Sequence, residues 1–190
     1  MCGIFSILGN VSQKDEITLK KYFEYGKKRG PEYSSFTKMK DNIYFGFHRL
    51  CINGLDEISN QPIISGKTSL ICNGEIYNYK EISQDAKINM NTNSDCEIIS
   101  KLYEVYGTNS VNLLDGVFSF VLYDKMKNEI VVARDPHGVR PLYICYYQNG
   151  LIGFCSDVAP LLFNKQIVSI RQFEPGHIAK YKLRNECCIY

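Results

Sequence analysis

Cys2 stands directly behind Met1 and opens an apolar run, Ile4-Phe5-Ser6-Ile7-Leu8. If the methionine is removed, one residue carries both a nucleophilic thiol and a free α-amine that can serve as its base. An α-amine has an ordinary pKa of about 7.7–8.0 against about 10.4 for lysine, so roughly a tenth of it or more is unprotonated at pH 7. The alternative is that Cys2 is an ordinary small hydrophobe at the start of a strand. Three further groups bear on which reading holds. Arg49 lies in strand text, Tyr44 to Asn53, whose two faces are both apolar, and a guanidinium there requires an anion, from a structural salt bridge or from a ligand. Asn73-Gly74 reads as a hairpin turn. Yet the text after it, Ile76-Tyr77-Asn78-Tyr79-Lys80, looks like a helix start, and an asparagine amide beside a glycine N–H offers two donors converging on an oxyanion. Asp95 sits in Ser94-Asp95-Cys96-Glu97, where Ser94 and Glu97 fit a capping box and Asp95 either complements the helix dipole or is held out towards a cation.

The elements that must position these groups follow from periodicity. Asp15 to Lys28 reads as an amphipathic helix with Ile17, Leu19, Tyr22, Phe23 and Tyr25 as its apolar members. Thr68 to Cys72 is a buried strand, and a helix follows Ser94. From Leu113 onward strands are predicted at 117–123, 129–133, 142–147, 151–155, 167–170 and 178–183, separated by turns at hairpin spacing, with a short helix over 157–163. Many antiparallel strands with helices between and outside them predict a layered α+β domain of two packed sheets.

Composition excludes several classes. The 190 residues, 45% of them hydrophobic, can bury a full core in one domain over 1–190. The net charge of +2 comes from 22 basic and 20 acidic residues mixed along the chain, so neither nucleic acid nor membrane is an expected partner. No apolar run approaches the roughly 20 residues of a membrane span, and no signal peptide is evident, so a cytoplasmic location is expected. The eight cysteines include no CxxC, and the three histidines are far apart, so no metal site is expected. The adjacent Cys187-Cys188 would point to opposite faces of a strand.

Six segments occur in order: Met1-Cys2-Gly3-Ile4-Phe5, Phe47-His48-Arg49-Leu50, Asn73-Gly74-Glu75-Ile76-Tyr77-Asn78, Ser94-Asp95-Cys96-Glu97-Ile98-Ile99, Leu114-Asp115-Gly116-Val117-Phe118, and Arg134 through Tyr143 with its Asp-Pro-His-Gly-Val-Arg-Pro core. Together they resemble the class II, N-terminal-nucleophile glutamine amidotransferase domain, most closely that of glutamine-hydrolysing asparagine synthetases. The resemblance implies a four-layer αββα sandwich of two mainly antiparallel sheets. It implies that Cys2 attacks the glutamine side-chain amide once Met1 is gone, with Asn73 and Gly74 as oxyanion donors. It further implies that Arg49 pairs with the substrate α-carboxylate, that Glu75 and Asp95 hold its α-ammonium, and that Leu50, Cys51, Ile52 and Asn53 line the pocket. Expected partners are L-glutamine and an ammonia-accepting synthetase domain or subunit. No cofactor is expected in this domain, because ATP and magnesium would belong to the synthetase domain, which is expected to be absent from this chain. Another ammonia acceptor, or a non-catalytic regulatory module of the same fold, are the alternative readings. The chain departs from the family's usual text at Lys28, where histidine is common, at Glu32, where aspartate is common, and at Asn53-Gly54, where an aspartate is common.

Overall fold

Strands that are apolar on both faces need a packed layer on each side, and the structure supplies them. It is a computed structural model that describes residues 1–183 and the backbone of residues 188–189; Cys187 lies outside the described residues. In chain order the elements are β1 (Gly3–Leu8), α1 (Gln13–Phe23), β2 (Tyr33–Lys40), β3 (Ile43–Arg49), β4 (Ile63–Ile64), β5 (Thr68–Ile76), α2 (Tyr79–Asp85), α3 (Glu97–Tyr106), β6 (Gly116–Asp124), β7 (Glu129–Arg134), β8 (Tyr143–Tyr147), β9 (Ile152–Cys155), β10 (Ile167–Gln172), β11 (Ile178–Leu183) and β12 (Cys188–Ile189). Two six-stranded sheets result, in the orders β10-β8-β9-β1-β3-β2 and β12-β11-β7-β6-β5-β4. Every strand pairing within them is antiparallel.

Three apolar clusters mark the contacts between four layers. Ile4, Phe45, Phe47, Ile71, Val121, Val132, Phe154 and Tyr181 fill the space between the sheets. Leu70, Phe120 and Val131 meet Ile98, Ile99 and Leu102 of α3 on one outer face, and Phe5, Ile7 and Tyr44 meet Leu19 and Phe23 of α1 on the other. This is the expected αββα sandwich. Among the described residues no helix is long and apolar enough to cross a membrane.

Local chemistry explains where the elements stop. Ser12 caps α1 by accepting the Asp15 N–H, with Asp15 and Glu16 in the first turn and Lys20 and Lys21 in the last. The helix predicted to reach Lys28 ends at Phe23 and tightens into a 3-10 segment, Glu24–Arg29. The close packing of this stretch explains the change: Phe23 stacks on His48 with ring centroids 3.9 Å apart, and a Cβ on Gly26 would lie 3.1 Å from the same imidazole. Ile17 and Tyr25, expected on the apolar side, are exposed, because the buried line of α1 runs through Leu19 and Phe23 at i,i+4 spacing. The capping box also does not form. Cys96 is the N-cap of α3, so Ser94 lies two residues too early, and Glu97 instead accepts the Asn91 and Thr92 N–H groups and the Thr92 hydroxyl. The edge strand β2 escaped the periodicity reading because its text, Tyr-Ser-Ser-Phe-Thr-Lys-Met-Lys, is largely polar and half exposed.

Candidate active site

Pairing of β1 with β3 sets Gly3 opposite His48, and one further step along that register brings Cys2 beside Arg49. Cys2 is held at both ends. Its Sγ donates to the Leu50 carbonyl and receives the Leu50 N–H, each at 3.4 Å, while Arg29 Nε donates to its carbonyl at 3.1 Å. Burial pushes the thiol pKa up, opposed chiefly by the Leu50 N–H and then by the positive chain terminus and Arg49. The thiol is therefore protonated at neutral pH and needs a base to act.

The wall facing Cys2 is the free edge of β5. Short β4 covers that edge only at Ser69 and Leu70. Beyond it, the N–H groups that point away from β6 belong to alternate residues, Cys72, Gly74 and Ile76. The Gln61 side chain stands in for a strand at Cys72, donating to its carbonyl at 3.1 Å and accepting its N–H at 2.6 Å. Asp95 Oδ2 accepts the Ile76 N–H at 2.7 Å. Between these two, among the described residues, nothing takes the Gly74 N–H, and Gly74 lines the same cleft as Cys2. Asn73 and Gly74 thus do not form the turn that their dipeptide signals. They lie inside β5, opposite Ser119 and Phe118 of β6. The glycine is required for closeness and not for turn geometry, since a Cβ there would lie 2.6 Å from the Val117 carbonyl.

Strand alternation puts Asn73 on the same face as Ile71, in the layer between the sheets against which Cys2 also packs. Its amide Nδ2 is buried without a partner. Asn73 shares that layer with Cys2 and is not among the cleft's lining residues; of the remaining expected residues only Cys51 is also missing from the lining. The backbone N–H of Cys51 is instead tied to Glu32 Oε2 at 2.5 Å, an anchor for the loop after β3. Cys2, Arg49, Leu50, Ile52, Asn53, Gly74, Glu75 and Asp95 all face the cleft.

The charges are arranged in two groups. Arg49 is buried and donates to the carbonyls of Gly54 and Asp56 and to Asn60 Oδ1, all neutral acceptors. Among the described residues no carboxylate lies within ion-pair distance of it, so the structural salt bridge is not the answer to its charge. Across the cleft, burial raises the Asp95 carboxyl pKa and neighbouring Glu75 adds to the rise, against the Ile76 N–H and the Asn53 side chain. No cation among the described residues pairs with Asp95. Glu75 is paired, by Arg140 Nη2 at 2.6 Å. The sequence reading named neither Gln61 nor Arg140 as a site residue; Arg140 lay in a recognised segment without a role, and Gln61 carried no local signal.

A cleft with a guanidinium bound only to neutral acceptors at one end, a carboxylate without a paired cation at the other, and a thiol facing an unused N–H is complementary to a zwitterionic amino acid bearing an electrophilic carbonyl. Comparison with known proteins agrees. Residues 1–185 match the family described as the glutamine amidotransferase domain. The chain is 37% identical over 189 residues to asparagine synthetase [glutamine-hydrolyzing] 1 of Arabidopsis thaliana, covering 96% of this chain and 32% of that protein. It is 35% identical over 193 residues to a probable asparagine synthetase [glutamine-hydrolyzing] of Dictyostelium discoideum, covering 97% and 34%. The chain thus spans about a third of the length of these curated relatives. The solved glutamine phosphoribosylpyrophosphate amidotransferase of B. subtilis shares the fold, with a TM-score of 0.76 at 22% identity over 94% of this chain and 47% of that one. With nearly its whole length matched, the chain belongs to the glutamine amidotransferase domain family.

Proposed function

We propose that the chain, once Met1 is removed, hydrolyses the side-chain amide of L-glutamine to glutamate and ammonia, and that the ammonia serves asparagine synthesis in a synthetase domain or subunit. Arg49 receives the α-carboxylate, a bidentate match to its planar fork. Asp95 and Glu75 receive the α-ammonium. The amide carbon then lies at Cys2, whose thiol passes its proton to the freed α-amine as Sγ adds to the carbonyl. The Gly74 N–H and the Asn73 amide hold the developing oxyanion. As the tetrahedral adduct collapses, its amide nitrogen takes the proton from the α-ammonium of Cys2 and leaves as ammonia, and water then hydrolyses the γ-glutamyl thioester. ATP and magnesium would act in the acceptor and not in this domain. Six free cysteines among the described residues fit a reducing, cytoplasmic setting.

The observation that carries this reading is the Gly74 N–H, left free among the described residues between two edge donors that side chains occupy, in one cleft with the nucleophile and with two charges of opposite sign that have no ion pair there. Identity to glutamine-hydrolysing asparagine synthetases supports the choice of acceptor. The test is glutamate release by Met1-free protein. Activity is expected with a free Cys2, and none with Cys2→Ala or with an N-terminal tag that turns the α-amine into an amide. Equal release by Cys2→Ala would refute the mechanism.

A further inference from the structure

The segment from Arg134 to Pro141 is built with more internal bonding than a connection between β7 and β8 needs. Asp135 is fully buried, and its carboxylate accepts the N–H groups of His137, Val139 and Arg140 at 3.1, 3.0 and 3.1 Å. Arg134 donates to the carbonyls of Gly138 and Arg140 from the other side, at 2.7 and 2.8 Å, and to the Phe173 carbonyl at 2.7 Å. Gly138 adopts φ +62°, and a Cβ there would meet Pro175 at 2.7 Å. All but the bond to Phe173, which ties the loop to the segment after β10, serve the loop's own shape. Arg140 crosses to the cleft: it reaches β5 and meets Glu75, 65 residues away in the chain. Its Nε is buried without another partner, so Glu75 is the contact for which the guanidinium is held.

We infer that Arg140 is a positioning residue for the α-ammonium end of the glutamine site, acting through Glu75. The inference rests on the function proposed above. Glu75 and Asp95 line one cleft, and two carboxylates there without a cation would repel each other. Arg140 offsets the Glu75 charge and fixes its rotamer through the 2.6 Å contact. With Arg49, the four side chains then sum to zero charge, and a zwitterion enters without unbalancing them. Glutamine lacking either charged end would be rejected by the group left unpaired.

The test is a double-mutant cycle on the Met1-free chain, with glutaminase kinetics, thermal melting, and calorimetric binding of glutamine to the same variants in a Cys2→Ala background. Loss of a charge-assisted anchor in a partly exposed site predicts that Arg140→Gln raises KM about tenfold with kcat within about threefold, and that Arg140→Lys recovers part of the loss. Glu75→Gln should raise KM to a similar degree. The double variant should be within about twofold of Glu75→Gln alone, since the arginine then has nothing to hold. Additive effects, a fall in kcat at unchanged KM, or a melting loss that lysine does not rescue would overturn the inference and make Arg140 a loop residue. If the Cys2→Ala chain with Arg140 intact binds no glutamine, the proposed function fails and this inference with it. If it binds glutamine equally with and without Arg140, only this inference falls.

Discussion

Truncating Asn73 to alanine separates a catalytic amide from a structural one, because the two roles predict opposite balances of stability and rate. The side chain is buried and its Nδ2 has no partner, while its backbone is paired with Ser119 across β5 and β6 and is untouched by the change. Removing an unsatisfied buried donor relieves a penalty of about 1–3 kcal/mol. Deleting the buried atoms costs a packing term of the same order, about 1–3 kcal/mol for a side chain of this size. The terms oppose, so net stability should move by no more than about 2 kcal/mol, or a melting shift within about 8 °C for a chain of this length. The rate behaves otherwise. Loss of one oxyanion donor removes about 2.7–4 kcal/mol of transition-state stabilisation, or a 10²–10³-fold fall in kcat. The assay is glutamate release by Met1-free protein beside a thermal melt of the same sample. A melting loss well beyond about 8 °C with kcat unchanged would show that Asn73 is a packing residue and that the oxyanion is held elsewhere.

Asp95→Asn should stabilise the protein while weakening glutamine binding. The folded state raises this carboxyl above its unfolded value, so the native state binds more protons, and stability is lost as pH rises from the ordinary carboxylate range through the raised value. Asparagine keeps an acceptor for the Ile76 N–H without a charge to desolvate, and a denaturation midpoint at neutral pH should rise. KM for wild-type glutamine hydrolysis should fall as pH rises through the same window, and this limb should vanish in Asp95→Asn; its persistence would exclude Asp95 as the ammonium ligand. Gly74→Ala should cost about 1–3 kcal/mol by overpacking, since the new Cβ meets backbone on β6 that cannot yield cheaply. A wild-type urea midpoint would mean that β5 and β6 are less tightly apposed than described.

The layered fold was legible because it rests on repetitive local text. Apolar runs in β5 to β9 follow from sheets covered on both faces, alternation in β11 from one open face, and hairpin spacing forces neighbours to pair. Elements whose identity depends on tertiary surroundings were misread. The helix α1 stops short of Lys28 because Phe23 and Gly26 pack against His48, 22 to 25 residues away. The capping box at Ser94 failed by two residues, a register that no local pattern sets.

The site divides along the same line, and Asn73-Gly74 shows why. As a dipeptide it signals a turn, and only the pairing of β5 with β6 over nine residues makes it strand. Its function depends on a further condition still more distant from the sequence: the edge of β5 must be covered at Cys72 and at Ile76 yet open at Gly74. Gln61 and Asp95 meet that condition from opposite sides, one from the loop before β4 and one from the turn before α3. Asp95 therefore has two tasks, closing the strand edge and presenting negative charge to the cleft, and its substitution tests both. Charges near Cys2 can be inferred from residue types, but which donor is left free is a property of sheet topology. The motif identifies where the chemistry occurs, and the interrupted strand edge is what makes that chemistry available.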